Sequence, residues 1–218
     1  MVTYDEVRNS KEILTYIQRA DLSLQRMGFT EHSVAHVTKV AVTAGDILLA
    51  LGYDKRIVEL TRIAAFMHDI GNLVNRADHA QSGAIMAFRL LDKMGMPADE
   101  VAKVVSAIGN HDEDTAWPVN EVAAALILAD KSDVRRSRVR RAVNSNDIHD
   151  RVNYAVTENS TAIDTEAKTF TLSLTIDTEI SPVIEYFESF TNRMKLCTRA
   201  AEYIGLQFKL FINNTSLI

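Results

Sequence analysis

The stretch Ile63-Ala64-Ala65-Phe66-Met67-His68-Asp69-Ile70-Gly71 carries an apolar helical run straight into a histidine and an aspartate side by side. Both side chains are costly to desolvate, so burying them at the end of such a run requires a partner that offsets the cost. A divalent cation is one such partner, because neutral imidazole and carboxylate are both first-row metal ligands. Taken alone, the dipeptide reads equally well as structural, with Asp69 capping the next turn and His68 bonded to backbone.

Working outward, the flanking segments repeat the same design. Upstream, Glu31 to Leu51 reads as a helix closed by Gly52, with an apolar stripe through Val37, Val40, Ala44, Ile47 and Leu48. His36 and His32 lie one and two turns before Val40 on that stripe. Asp54 is expected to cap the helix that carries Ile57, Leu60 and Ala64 to His68. Downstream, Gly71 to Ala77 reads as a polar loop, and Asp78 with Gln81 has the spacing of a capping box opening a helix to Met94. His79 stands in its first turn, and Gly83 one turn on lets another backbone approach. Pro97 opens a helix whose stripe Val101, Val104, Val105, Ile108 leads to His111 and the polar cluster Asp112-Glu113-Asp114. Pro118 is expected to open a helix through Val122 to Ala129 that is apolar nearly all round, hence central, and that ends in Asp130-Lys131. Before all of these, Ser10 to Met27 reads as a helix ended by Gly28.

Beyond Arg141 the period changes. Thr169 to Ile176 alternates as a half-buried strand, with Phe170, Leu172, Leu174 and Ile176 on one face. Val152 to Glu158, with Thr161 to Asp164, is expected to pair with it. Ser181 and Pro182 start a long helix ending near Gly205, and Phe208, Leu210 and Ile212 form a last strand. The fold expected is mainly α, a helical domain over 1–145 with a small β-β-α-β subdomain over 146–218.

Composition bounds the function. The chain has 218 residues, 47% of them apolar, enough for a substantial core. A net charge of -5 argues against a general affinity for nucleic acid, whose phosphates demand a basic surface. A single cysteine, Cys197, excludes an internal disulfide or a CxxC zinc site. There is no signal-peptide pattern at the start and no apolar span of membrane length, so the cytoplasm is the expected compartment.

His36, His68, Asp69, His79, His111 and Asp130 each begin or end an apolar helical face, so six ligand-type side chains are placed to converge. Singly, a histidine on such a face is more often a hydrogen-bonded core residue. Asp130 resists that reading, because a carboxylate closing an apolar run seldom stays ionised and unpaired. The joint pattern favours a metal centre. In order and context, His36-x3-Val40-Ala41, His68-Asp69-Ile70-Gly71, His79-x3-Gly83, His111-Asp112-Glu113 and Ala129-Asp130-Lys131 resemble the HD superfamily of metal-dependent phosphohydrolases, over roughly Glu31 to Arg141. The two extra histidines are similar to those of its binuclear branch.

The resemblance implies that His36, His68, Asp69 and Asp130 hold one metal and that Asp69 bridges to a second held by His79 and His111, with His32 at the place of a further ligand in some members. It implies cleavage of a phosphomonoester or phosphodiester, of a nucleotide above all, by a hydroxide bridging the metals. Asp69 and Lys131 would be catalytic, Lys131 by reaching a phosphate oxygen. Arg135 or Arg138 would grip a phosphate at the mouth of the site, with Arg76 and Asp78 also touching substrate, although the basic run Lys131 to Arg141 also reads as a solvated helix end. The subgroup that cleaves cyclic di-GMP carries Gly-Tyr-Pro after the histidine that corresponds to His111, and no such tripeptide follows His111 here. Mixed His and carboxylate ligands suit iron, manganese or zinc, with magnesium admissible. His149 lies outside the pattern and reads as structural. The expected partner is a small phosphorylated substrate, with a homodimer as a weaker expectation. The rival reading, a metal-stabilised regulatory or interaction module with little turnover, stays open.

Overall fold

The computed structural model describes residues 1–113, 115–140 and 147–218. Helices α1 (Tyr4–Arg8), α2 (Lys11–Met27), α3 (Val34–Ala50), α4 (Lys55–Met67), α5 (His79–Lys93), α6 (Ala98–Gly109), α7 (Glu121–Lys131) and α8 (Ile148–Ala155) precede strands β1 (Val156–Asp164) and β2 (Thr169–Ile176). Helix α9 (Val183–Tyr203) and strands β3 (Gln207–Ile212) and β4 (Thr215–Ser216) complete the chain. The fold is mainly α with a C-terminal sheet and helix, as the periodicities require.

The all-apolar run 122–129 is the centre. Every residue from Val122 to Ala129 is buried, and α7 packs on α3, α4, α6 and α9. Helix α9 returns across it, so the apolar cluster runs without a break from Val2 to Ile212. The sheet order is β1-β2-β3-β4. β1 and β2 are antiparallel, and β2 and β3 are parallel. That parallel pairing needs a long crossover, which α9 supplies. The alternation holds: Phe170, Leu172, Leu174, Phe208, Leu210 and Ile212 are all buried, against α9 on one face. The boundary expected at 145/146 lies outside the described residues, and the two-part division stands as a proposal.

Several local expectations are corrected. Ser33 caps α3 by accepting from the Ala35 N–H, so His32 precedes the helix instead of riding on it. Asp78 makes no capping hydrogen bond and adopts a left-handed backbone, φ 54°, a conformation that aspartate tolerates better than most residues. Pro118 does not open α7; Asn120 does, its Oδ1 accepting from the Ala123 N–H at 2.8 Å, a job proline has no side-chain acceptor for. Val152 to Ala155 belong to α8, and a single strand runs from Val156 to Asp164. The basic run is not a helix end: α7 stops at Lys131, and Arg136–Arg138 form one 3₁₀ turn. Arg141 and Asp114 lie outside the described residues.

Candidate metal centre

The His68-Asp69 turn is held by a close backbone crossing. Gly71 and Gly83 meet where α5 passes the end of α4: a Cβ on Gly71 would lie 2.0 Å from the His79 carbonyl oxygen and 2.4 Å from the Gly83 nitrogen. Both distances are impossible for a real side chain, so glycine at 71 is what lets α5 bring His79 beside Asp69.

All six expected ligands converge. His36 Nε2 lies 3.6 Å from Asp69 Oδ2 and 3.4 Å from Asp130 Oδ1. His68 Nε2 lies 3.2 Å from Asp69 Oδ2 and 3.6 Å from Asp130 Oδ1. On the other side, His79 Nε2 is 3.6 Å from Asp69 Oδ1 and 3.3 Å from His111 Nε2. Asp69 therefore faces one group with Oδ2 and the other with Oδ1. His36, His68, His79 and His111 are each no more than 2% exposed.

The imidazoles are oriented by their far nitrogens. His68 Nδ1 donates to the Ala65 carbonyl at 2.7 Å, His111 Nδ1 to Ile108 at 2.6 Å and His79 Nδ1 to Arg76 at 3.1 Å. His36 Nδ1 is 2.8 Å from Asp133 Oδ2. With each Nδ1 bonded to one of these acceptors, every Nε2 faces the cluster, the arrangement that metal-bound histidines use. Asn72 Nδ2 donates to Asp69 Oδ1 at 2.9 Å and fixes the central carboxylate.

The donor set fits a cation. His36 Nε2, His68 Nε2 and Asp69 Oδ2 are buried with no hydrogen-bond partner among the described residues, a costly state for polar atoms. Two ligands each about 2.1 Å from one first-row ion lie roughly 3 to 3.4 Å apart, close to the spacings here. Two such groups overlap, His36-His68-Asp130 and His68-Asp69-His111. Burial alone would push Asp69 and Asp130 up and His68 down. Instead His68 holds the Asp69 carboxyl, and Lys131 with His36 and His68 holds the Asp130 carboxyl, well below the usual range, while the two carboxylates carry His68 up to about 10. Two buried carboxylates thus demand positive charge, from a proton or a metal.

The other expected residues divide. Lys131 Nζ is 2.8 Å from Asp130 Oδ2 and is buried. Arg76 lines the cavity of about 200 Å³ in front of the cluster, as do Lys131 and His32. His32 approaches His36, with ring centroids 5.6 Å apart, while its Nδ1 donates to the Thr30 carbonyl. Arg135 does not line that cavity. Its Nε donates to Asp133 at 3.0 Å and its Nη2 lies 3.5 Å from Glu31, so its charge is already engaged; Arg138 lines the cavity in its place.

Three residues escape a sequence reading. Asp133, the one acid in the basic run, orients His36 across 97 positions of chain. Arg193 and His149 complete the cavity wall beside Arg138, and both arrive from elements beyond the motif pattern.

The chain is 26% identical over 159 residues to uncharacterized protein MJ1020 of Methanocaldococcus jannaschii, spanning 63% of this chain and 61% of that protein's length. The crystal structure of a predicted HD superfamily hydrolase from an uncultured Thermotogales bacterium is 29% identical, with a TM-score of 0.45 over 57% of this chain and 68% of that one. Residues 33–155, more than half of the sequence and including every ligand-type residue of the cluster, match the HD domain, and the chain belongs to that family.

Proposed function

We propose that the protein is a metal-dependent phosphohydrolase acting on a small phosphomonoester or phosphodiester, with a nucleotide as the first choice. The observation that carries this is the convergence of four buried imidazoles on two carboxylates, each Nε2 turned inward by a hydrogen bond at Nδ1. In the binuclear form of the proposal, His36, His68, Asp69 and Asp130 hold one ion and Asp69, His79 and His111 the other. Iron, manganese or zinc suits these ligands, and magnesium is admissible. Divalent cations held there supply Lewis acidity toward a phosphoryl group and a hydroxide nucleophile near neutral pH.

The chain's own residues supply the rest. Asp69, with an oxygen toward each group, couples the two halves of the centre. Lys131, anchored on Asp130, presents an ammonium to a phosphoryl oxygen as charge builds on it. Arg76 and Arg138 line the cavity and offset the carboxylates that share its wall, which favours an anion once cations are held at Asp69 and Asp130. Burial keeps His111 and His32 well below the ordinary imidazole range, so both remain neutral donors at physiological pH. No helix among the described residues is long and apolar enough to cross a membrane. A cytoplasmic location and a homodimer belong to the same proposal and are read by cell fractionation and by mass in solution.

A phosphoester and nucleotide screen on protein reconstituted with manganese or iron tests the reading. Turnover abolished by His68→Ala and by Asp69→Ala is the expected result; turnover untouched by both rejects it. The alternative, a regulatory module with little turnover, draws support from β1, an edge strand of the sheet with a mostly exposed face that offers backbone to a partner strand. Efficient hydrolysis of any natural nucleotide decides against it.

A further inference from the structure

The cavity in front of the metal cluster is closed by elements beyond the motif pattern. Arg193, in the middle of α9, lines it, as does His149 of α8. Arg193 is held in place from two sides. Its Nε donates to Glu113 Oε1 at 2.8 Å, and its guanidinium carbon sits 4.1 Å from the centre of the Phe190 ring. The edge of His149 packs on that same ring, 4.8 Å between centroids. Among the described residues no hydrogen bond engages the two Nη groups of Arg193, and they are not sealed in the core.

Glu113 links this arginine to the metal cluster. Its Oε1 lies 3.9 Å from Lys131 Nζ, which in turn is 2.8 Å from Asp130. Arg193 therefore stands three ion pairs away from a carboxylate of the cluster. Arg76, Glu113, His149 and Arg193 also line an adjoining hollow of about 530 Å³, so they stand on the wall that the two spaces share. A fixed guanidinium with free Nη donors at that boundary is a built receptor for a planar or tetrahedral anion.

We propose that Arg193 forms a second anion subsite beside the one served by Lys131, so that the preferred substrate carries another anionic group, phosphate or carboxylate, next to its scissile phosphoryl group. Arg193 is a specificity-determining residue contributed by the C-terminal part of the chain. The inference rests on the metal-dependent hydrolase reading for the identity of the first group, and Arg193 acts on binding.

The test is equilibrium binding of methylphosphonate, methylenediphosphonate and phosphonoacetate to manganese-loaded protein, wild type, Arg193→Gln and Arg193→Lys. Wild type is expected to bind at least one doubly anionic probe about tenfold or more tighter than methylphosphonate, and the stronger of the two says whether the second group is phosphate or carboxylate. Arg193→Gln is expected to lose at least about tenfold more affinity for that probe than for methylphosphonate, and Arg193→Lys to recover part of the loss. Equal loss for all three probes, or no preference in wild type, overturns the proposal. Thermal melts of each variant identify one that fails to fold, in which case Arg193→Lys alone carries the comparison. A phosphoester panel run in parallel separates the two readings: an Arg193-dependent preference without any turnover removes the hydrolase assignment and leaves the subsite.

Discussion

Asp133 is not itself an expected ligand, yet it holds one. Its Oδ2 holds His36 Nδ1, while Lys39 at 2.7 Å and Arg135 at 3.0 Å share its Oδ1. Asp133→Asn keeps the shape and removes the charge that makes His36 a strong donor. Metal affinity is expected to fall by about 10- to 100-fold with cooperative melting retained, as metal titration on the refolded variant will read; unchanged affinity contradicts the role. His149 gives a second residue-scale test. Burial, and then the Arg193 guanidinium, push its imidazole down to about 4. The unfolded chain protonates it near 6.5, so between about pH 6.5 and 4 the unfolded state binds a proton that the folded state refuses. Stability therefore falls as pH falls through that window, by on the order of 3 kcal/mol at most and less for a partly exposed ring. His149→Gln is expected to flatten the slope, measured as the difference between urea midpoints at pH 7 and pH 4.5.

At the scale of elements, the crossing of α5 over the His68-Asp69 turn is the joint on which the centre depends. Gly71→Ala places a methyl against two backbone atoms, the His79 carbonyl oxygen and the Gly83 nitrogen, neither of which moves without shifting α5. A loss of about 3 kcal/mol or more, with loss of metal, is expected. Gly83→Ala is milder, because its Cβ would meet Gly71 N and His68 O at 3.2 Å. Chemical denaturation of the two variants should rank them in that order; equal stabilities contradict the account. The joint was half legible. Gly83 reads as a place of close approach because it lies one turn after a histidine in a helical pattern, and the six clustered side chains read through at the edges of apolar stripes. The central helix was legible because eight consecutive apolar residues leave no polar face. Asp133, Arg193 and His149 were not, since what gives each a role is a contact with an element dozens of residues away, and neither period nor spacing records such contacts. The capping assigned to Asp78 and the start assigned to Pro118 failed for a local reason: each motif was present, but Asp78 takes a left-handed backbone without a capping bond in one case and Asn120 supplies the cap in the other.

For the whole molecule, the continuous core from Val2 to Ile212 joins the HD domain to the sheet through α7 and α9, so metal at the centre should stabilise the folded chain as a unit. Chelation is expected to lower the melting temperature and re-addition of metal to restore it, with a gain of about 2.7 kcal/mol at a free metal concentration 100 times Kd. A single melting transition should persist in both states. The most direct test of the shared centre is elemental analysis of purified wild-type protein beside Asp69→Ala, after reconstitution with manganese, iron or zinc and removal of free ion. The account predicts stoichiometric metal in wild type and a loss of most of it in the variant, since Asp69 faces both groups of ligands. Wild-type protein that retains no metal, or an Asp69→Ala variant that retains the full complement, would contradict it.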